Sequence, residues 1–423
     1  MASIAVTTPA DPKIPWLPPE LWREILREVG AISDEFEVYF ASYWHHLRIR
    51  YSGYCSLWRV AIRNRYHVIR VSRLWHSLGV DFLHSSFLIN TRKDFLRLLN
   101  LVQSPTIARR LKRVTLTPPN PRKSGPYDPI FFRGLDVCPN LTISVNFHWL
   151  APFPQVDQLV LNARLTRLEI ESHGEATAFR AFVASLSGCT SLRSLRLQFN
   201  PKPELSNLAP VSLPHLEELD LHLTNYPNVR DIMIGWLPLL VLPKLTALIL
   251  SGEFTEVTPA LQKFGTQLHT LGLEWLPMDP CSPHAIPTLN LRRVLVKHHA
   301  FRSKWHHLPQ IVNMENVEVL GVQVIDSMNP ELLRAHGGSP FDKPSALLRL
   351  VTDSQTMPSL SRVTLHLRYN RSSDIWPMIE VHVLRWAQKI QIRRPGLQVY
   401  LETYDKDCHT PRCTPLFPLF GLS

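Results

Sequence analysis

Cysteine is scarce in this chain of 423 residues, and what there is follows no pattern. Cys55, Cys138, Cys189, Cys281, Cys408 and Cys413 are scattered apart from the last two, so the spacing encodes neither a disulfide framework nor a zinc ribbon. A reducing intracellular setting is the expectation, in cytoplasm, nucleus or both. A long apolar run is also missing: the longest uncharged stretch, Ile232–Pro243, has twelve residues and two prolines, too short to span a bilayer. The opening MASIAVTTPADPK lacks the basic and apolar regions of a signal peptide. No Walker loop, G-x-S-x-G elbow or H-E-x-x-H pair occurs, so neither catalysis nor a bound cofactor is expected.

Charge is in excess but not gathered. The formal charge is +11, with arginines spread along the whole chain rather than forming a stripe. Such a balance bears on solubility and nonspecific attraction more than on one partner, and nucleic acid is not the expected ligand. Two clusters resemble metal ligands at first sight. In KHHAFRSKWHHL, the adjacent His298, His299 and His306, His307 point apart, and Lys297, Arg302 and Lys304 repel a cation. Cys408, His409 and Cys413 sit in a proline-rich stretch that reads as a loose terminus.

What the chain does have is one short phrase, repeated. LKRVTL (111–116), LTRLEI (165–170), LRSLRL (192–197), LEELDL (216–221), LTALIL (245–250), LHTLGL (268–273), LRRVLV (291–296), VEVLGV (317–322) and LSRVTL (360–365) share the form apolar, any, any, apolar, any, apolar. Starts from 165 to 317 are separated by 27, 24, 29, 23, 23 and 26 residues, the period of leucine-rich repeats. The last two apolar positions alternate as a short strand with one face inward, and the first closes the turn leading into it. One unit cannot bury that face alone, whereas a stack can. Between strands, stretches such as Glu175–Gly188 carry Phe179, Phe182, Val183 and Leu186 at helical spacing. The phrase is degenerate at NLTISV (140–145), crowded at VDQLVL (156–161), and skips nearly two periods between 317 and 360; 123–135 and 327–346 read as loops.

In such a stack the third, fifth and seventh positions of each phrase are expected on the concave surface. They include Glu169, Arg196, Glu218, Asp220, His222, Glu274, Arg293 and Lys297, grading from acidic to basic. That mixture suits a protein segment better than a phosphate backbone.

The N-terminal part is of another kind. In IPWLPPELWREILREVG (14–30), Pro18 and Pro19 fit a first helical turn, and Leu21, Ile25 and Val29 line one face. A second stripe follows at Val68, Val71, Leu74, Trp75 and Leu78. LPPELWREIL followed by VIRVSRLWHSLGVDFLHSSFLI resembles an F-box, and its pairing with downstream repeats is similar to the F-box proteins abundant in mushroom-forming (basidiomycete) fungi. The resemblance implies that Leu17, Pro18, Glu20, Leu21, Ile25, Leu26, Val71, Trp75 and Leu78 bind a Skp-type adaptor. Through it the chain would join a cullin and a RING protein, and the repeats would choose the protein to be ubiquitinated. The departure from the family is an insert at about 30–63.

The expected fold is therefore α/β: a disordered tail (1–12), an all-helical F-box with insert (13–90), an irregular leucine-rich-repeat horseshoe (91–405) and a C-terminal tail (406–423). The expected function is that of a non-catalytic substrate receptor of an SCF-type ligase. The alternative is a repeat scaffold with no ligase, its N-terminal helices only capping the array.

Overall fold

The computed structural model describes residues 18, 20–22, 67, 70–73, 76, 85–89, 91–116, 135, 137–138, 141–147, 165–172, 182–199, 210–223, 235–251, 258–273, 288–298, 308–324, 346–367, 376–404 and 411–415. Each repeated phrase that is described becomes a strand. The first strands are β1 (Ser86–Ile89), β2 (Arg113–Leu116), β3 (Thr142–Phe147), β4 (Leu165–Ser172) and β5 (Ser194–Phe199). Then follow β6 (Val211–Ser212), β7 (Glu218–Leu223), β8 (Leu240–Val241), β9 (Ala247–Ser251) and β10 (Thr270–Leu273). The last are β11 (Arg293–His298), β12 (Val319–Val324), β13 (Arg362–Leu367), β14 (Gln398–Tyr404) and β15 (Pro411–Pro415).

All but β6 and β8 form one sheet of 13 strands in chain order, parallel throughout except that β15 runs antiparallel to β14. The chain is thus mixed α/β. Parallel neighbours need a connection of a dozen residues or more, and the intervals supply it. β6 and β8 pair in a small parallel sheet of their own, ahead of β7 and β9.

The leucines explain the order. First-position residues such as Leu192, Leu216, Leu245, Leu268 and Leu291 are fully buried, as are fourth-position Leu195, Leu219, Leu248 and Leu271 and sixth-position Leu197, Leu221 and Leu250. The described inward side chains of neighbouring strands belong to one cluster, so one continuous apolar layer runs along the sheet.

Several boundaries differ from those read in the sequence. Ser86–Ile89 is the first strand of the sheet, with Ile89 buried, so the sheet begins inside the stretch assigned to the helical module. The sheet also runs past 405: β15, with a proline at each end, covers the outer edge of β14. Proline cannot donate to a ladder, so such a strand ends pairing. Between 317 and 360 no strand is skipped, because β12 pairs directly with β13. The described part of the long interval contains a helix, α5 (Ala346–Thr352). Residues 30–63, 123–134, 156–161 and 327–345 lie outside the described residues.

Helices pack where the sequence gives them caps and an apolar stripe. α1 (Arg92–Val102) begins with a capping box: the Asp94 amide donates to Thr91 Oγ1 at 3.1 Å, and the Thr91 amide donates to Asp94 Oδ2 at 3.0 Å. Its Phe95, Leu98 and Val102 face the core. α2 (Pro105–Arg110) follows at once, opened by proline. α3 (Thr258–Phe264) and α4 (Leu308–Ile311) precede β10 and β12, and residues 182–186 are helical ahead of β5, burying Phe182, Val183 and Leu186 as the spacing predicts.

α6 (Trp376–Arg393) buries Trp386, Ala387 and Ile390 and delivers Arg394 to the turn before β13. That guanidinium donates to the carbonyls of Val351 at 3.2 Å, Met357 at 2.7 Å, Pro358 at 3.3 Å and Leu360 at 3.0 Å. Asp353 shapes the same turn: the Thr356 hydroxyl and the Gln355 amide bond its carboxylate and hold its pKa below the ordinary value. A folded pKa below the unfolded one contributes stability above the ordinary carboxylate range, lost as pH falls through the folded value. The turn therefore loosens in acid and not near neutrality. Arg394→Met should lower stability by about 1–2 kcal/mol, since four carbonyls lose a charged donor that is itself partly solvated. Urea unfolding checks this against Arg393→Ala, an exposed neighbour expected to change it by less than about 0.5 kcal/mol.

Candidate protein-interaction surface

Of the adaptor contacts implied by the N-terminal phrases, Pro18, Glu20, Leu21 and Val71 are described, whereas Leu17, Ile25, Leu26, Trp75 and Leu78 lie outside the described residues. Residues 20–22 are helical, and the Trp22 amide donates to the Pro18 carbonyl at 3.1 Å, closing the first turn that the prolines predict. In the second phrase the His76 amide donates to the Ser72 carbonyl at 2.9 Å. Leu21 is 49% exposed and Val71 64%, so both phrases present a large apolar side chain to solvent.

The expected concave positions do line up across the sheet. Arg196, Asp220, Ile249, Gly272, Leu295, Gly321 and Thr364 occupy one register row, strand after strand. Yet this row is not open. Arg196 is 4% exposed, Asp220 1%, Ile249 6%, Leu295 9% and Thr364 2%. Arg196 and Asp220, expected to face a partner, are thus buried within the chain, as is Glu218 in the third-position row, which is 6% exposed.

Lateral contact along the row is one visible reason. Arg196 Nε lies 3.4 Å from Asp220 Oδ2, both side chains buried, so the two charges answer each other across neighbouring strands. Glu218 accepts from Ser194 Oγ at 3.2 Å. Ile249 leans over Gly272, where an added Cβ would come within 3.0 Å of its Cγ2. A charge taken from water needs a partner or it destabilises the fold, and in this row the partners are internal.

The sequence carried a signal of this closure that charge alone hid. Fifth positions Ile249, Gly272, Leu295, Gly321 and Thr364 are apolar or small, which a solvated binding face would not require.

The third-position row is the more open one, and it opens toward the C-terminal strands. Ala247 and Thr270 are half-buried, Arg293 is exposed, Val319 and Arg362 are half-buried and Gln398 is exposed, all in one register. No acid interrupts that row between Ala247 and Gln398. Arg362 is held in place: its guanidinium lies 4.1 Å from the centre of the Tyr400 ring, and its Nε donates to Thr364 Oγ1 at 3.2 Å. Tyr400 in turn donates to Gln398 Oε1 at 3.1 Å.

Of the remaining predicted residues, Glu169 pairs with Arg196 at the head of the fifth-position row, and His222 and Lys297 stand at seventh positions of the same sheet. His222 is half-buried on β7; Glu169 and Lys297 stand on β4 and β11, with their backbone alone described; Glu274 lies outside the described residues. Among the described residues no three His, Cys, Asp or Glu side chains gather as metal ligands would, and no helix is long and apolar enough to cross a membrane. Burial pushes the Cys189 thiol up to about 12, which leaves it a packing residue rather than a nucleophile.

Sequence reasoning missed Tyr400 and its strand. In LQVYL (397–401) one residue fewer separates the first leucine from the strand than in LSRVTL, so β14 fails the template although Val399 pairs with Val363. Compared with protein-family models and with curated proteins, the chain matches none.

The buried pair gives a direct test. Asp220→Asn removes a buried carboxylate from beside the Arg196 charge and should cost about 3–5 kcal/mol. Glu217→Gln, which breaks the exposed contact with Arg193 at 3.7 Å, should cost less than about 1 kcal/mol. Chemical denaturation of the two variants compares them, and equal stabilities would show that the Arg196–Asp220 contact is solvated.

Proposed function

We propose that this chain is the substrate-recognition subunit of an SCF-type ubiquitin ligase, its N-terminal F-box binding a Skp-type adaptor and its repeats, a leucine-rich-repeat solenoid, binding the target protein. The observation that carries the reading is the pairing of the two N-terminal phrases, each with an exposed large apolar residue, Leu21 and Val71, with a parallel sheet ordered strand by strand behind them. A single exposed leucine is ordinary on a protein surface. Two, on the phrases expected to meet one partner, support a desolvated contact.

The revised burial moves the proposed target contacts. Arg196, Glu218 and Asp220 serve the fold, and the open third-position row with Arg293 and Arg362 takes their place. A rim of fixed guanidinium groups steers and selects a partner more than it adds affinity. Ubiquitin transfer itself belongs to the cullin and RING partners.

Co-expression with a Skp-type adaptor tests this reading. The parent should co-purify as a stable complex, and Leu21→Asp with Val71→Asp should weaken it by about thirtyfold or more, as loss of apolar anchors in a desolvated contact commonly does. Because both side chains are exposed, the melting temperature should hold. A parent that never retains the adaptor points instead to a repeat scaffold without a ligase.

A further inference from the structure

Helices α1 and α2 bound an open groove of about 580 Å³, none of whose lining residues lies on a strand. Leu99, Val102, Pro105, Ala108, Arg109 and Val137 line it. Its apolar surface continues past the groove itself: Val137 is 59% exposed, and Leu96, one helical turn before Leu99, is 48% exposed. Folding has left Leu96 and Val137 in water although α1 buries Phe95 and Leu98 on its other side, while Val102 and Ala108 are buried beneath the groove.

Positive charge prevails on the two helices that bound the groove. Residues 91–112 contain Arg92, Lys93, Arg97, Arg109, Arg110 and Lys112, and Asp94 as the one acid. Asp94 is engaged by Thr91 in the capping box. Along α1 the stripe reads Lys93, Leu96, Leu99, Gln103, at intervals of three, three and four residues, and Arg109 stands at the far end on α2. At 1.5 Å per residue, Lys93 and Gln103 are about 15 Å apart, two to three turns of a second helix.

We infer that this groove docks an acidic amphipathic helix of a partner protein, leucine-like side chains seated between Leu96 and Ala108 and carboxylates meeting Lys93 and Arg109. A helix suits the site because its backbone needs nothing from it. The amides of Ala108 and Leu111 already bond the carbonyls of Ser104 and Ile107, and those of Phe95 and Ser104 bond Thr91 and Leu101. An extended strand would find no ladder to join. A small-molecule site gathers several converging polar groups, while Gln103 and Arg109 are the polar side chains in this lining. An anionic membrane would need an apolar ridge that protrudes, and the apolar surface here is recessed between two helices.

The inference stands apart from adaptor binding, and its test uses the full chain with no adaptor present. The probe is a fluorescein-labelled peptide of about 18 residues, with leucines on one helical stripe and glutamates on the rest. Fluorescence anisotropy should show saturable binding that weakens about tenfold or more with Leu96→Asp and with Arg109→Glu. Both positions are exposed, and circular dichroism of each variant verifies the fold. The same peptide with lysine in place of glutamate should bind at least about tenfold more weakly. No binding up to about 1 mM, equal binding by the parent and both variants, or equal binding of the lysine peptide would overturn the inference. Stronger capture by phosphatidylserine vesicles than by the peptide, lost in Leu96→Asp, would overturn it in favour of a membrane contact.

Discussion

Two amides sharing one carbonyl set the register of the whole sheet. Glu217 and Glu218 both donate to the Arg193 carbonyl, at 2.8 and 3.0 Å; Thr246 and Ala247 to that of Glu217; His269 and Thr270 to that of Thr246; Arg292 and Arg293 to that of His269. Glu318 and Val319 repeat the pattern on Arg292, and Ser361 and Arg362 on Glu318. The chain between the last two units is 43 residues and between His269 and Arg292 only 23, yet the bonds are the same. Loop closure costs little more for a longer loop, so connection length is free to vary while the strand start is not. The buried first-position leucines then fall in line, and the fourth and sixth positions with them.

Once the register is fixed, side chains of like position become neighbours, and that decides what the protein can offer a partner. Arg196 meets Asp220 because both are fifth residues of the phrases that form adjacent strands, and their charges face each other. Ile249 fills the space beside Gly272 for the same reason. The row therefore contributes stability and uniqueness of register rather than recognition. Two residues earlier in the phrase, nearer the strand start, the side chains of the C-terminal strands remain reachable, and Arg362 is stiffened by Tyr400 instead of being covered. Among the described residues, the side chains open to solvent lie at the strand starts and at the ends of the stack, where exposed Arg293 and the groove of α1 and α2 are found.

The leucine phrase made the strands legible, because burial on one face repeats with each unit and leaves its mark at three positions. The degenerate NLTISV still forms β3, since Leu141 and Ile143 keep the inward positions. What the sequence hid depended on distance along the chain. β1 and β15 have no leucine phrase, though both pair into the sheet, and the lead-in to β14 is shortened by one residue. The closure of the fifth row was hidden because the charges of Arg196 and Asp220 look exposed until the register sets them side by side. Neither helix of the groove looks unusual alone; the recess exists because Pro105 starts α2 three residues after α1 ends.

The central claim is that the fifth-position row is closed and the functional surface lies elsewhere. Hydroxyl-radical footprinting of the native chain with mass spectrometry reads this residue by residue. Ile249 and Leu295 should be oxidised as slowly as the core residues Leu248 and Leu271, while exposed Leu289, Leu96 and Ile392 react quickly. Oxidation of Ile249 and Leu295 at the rate of Leu289 would show that the row is open to solvent and contradict the account.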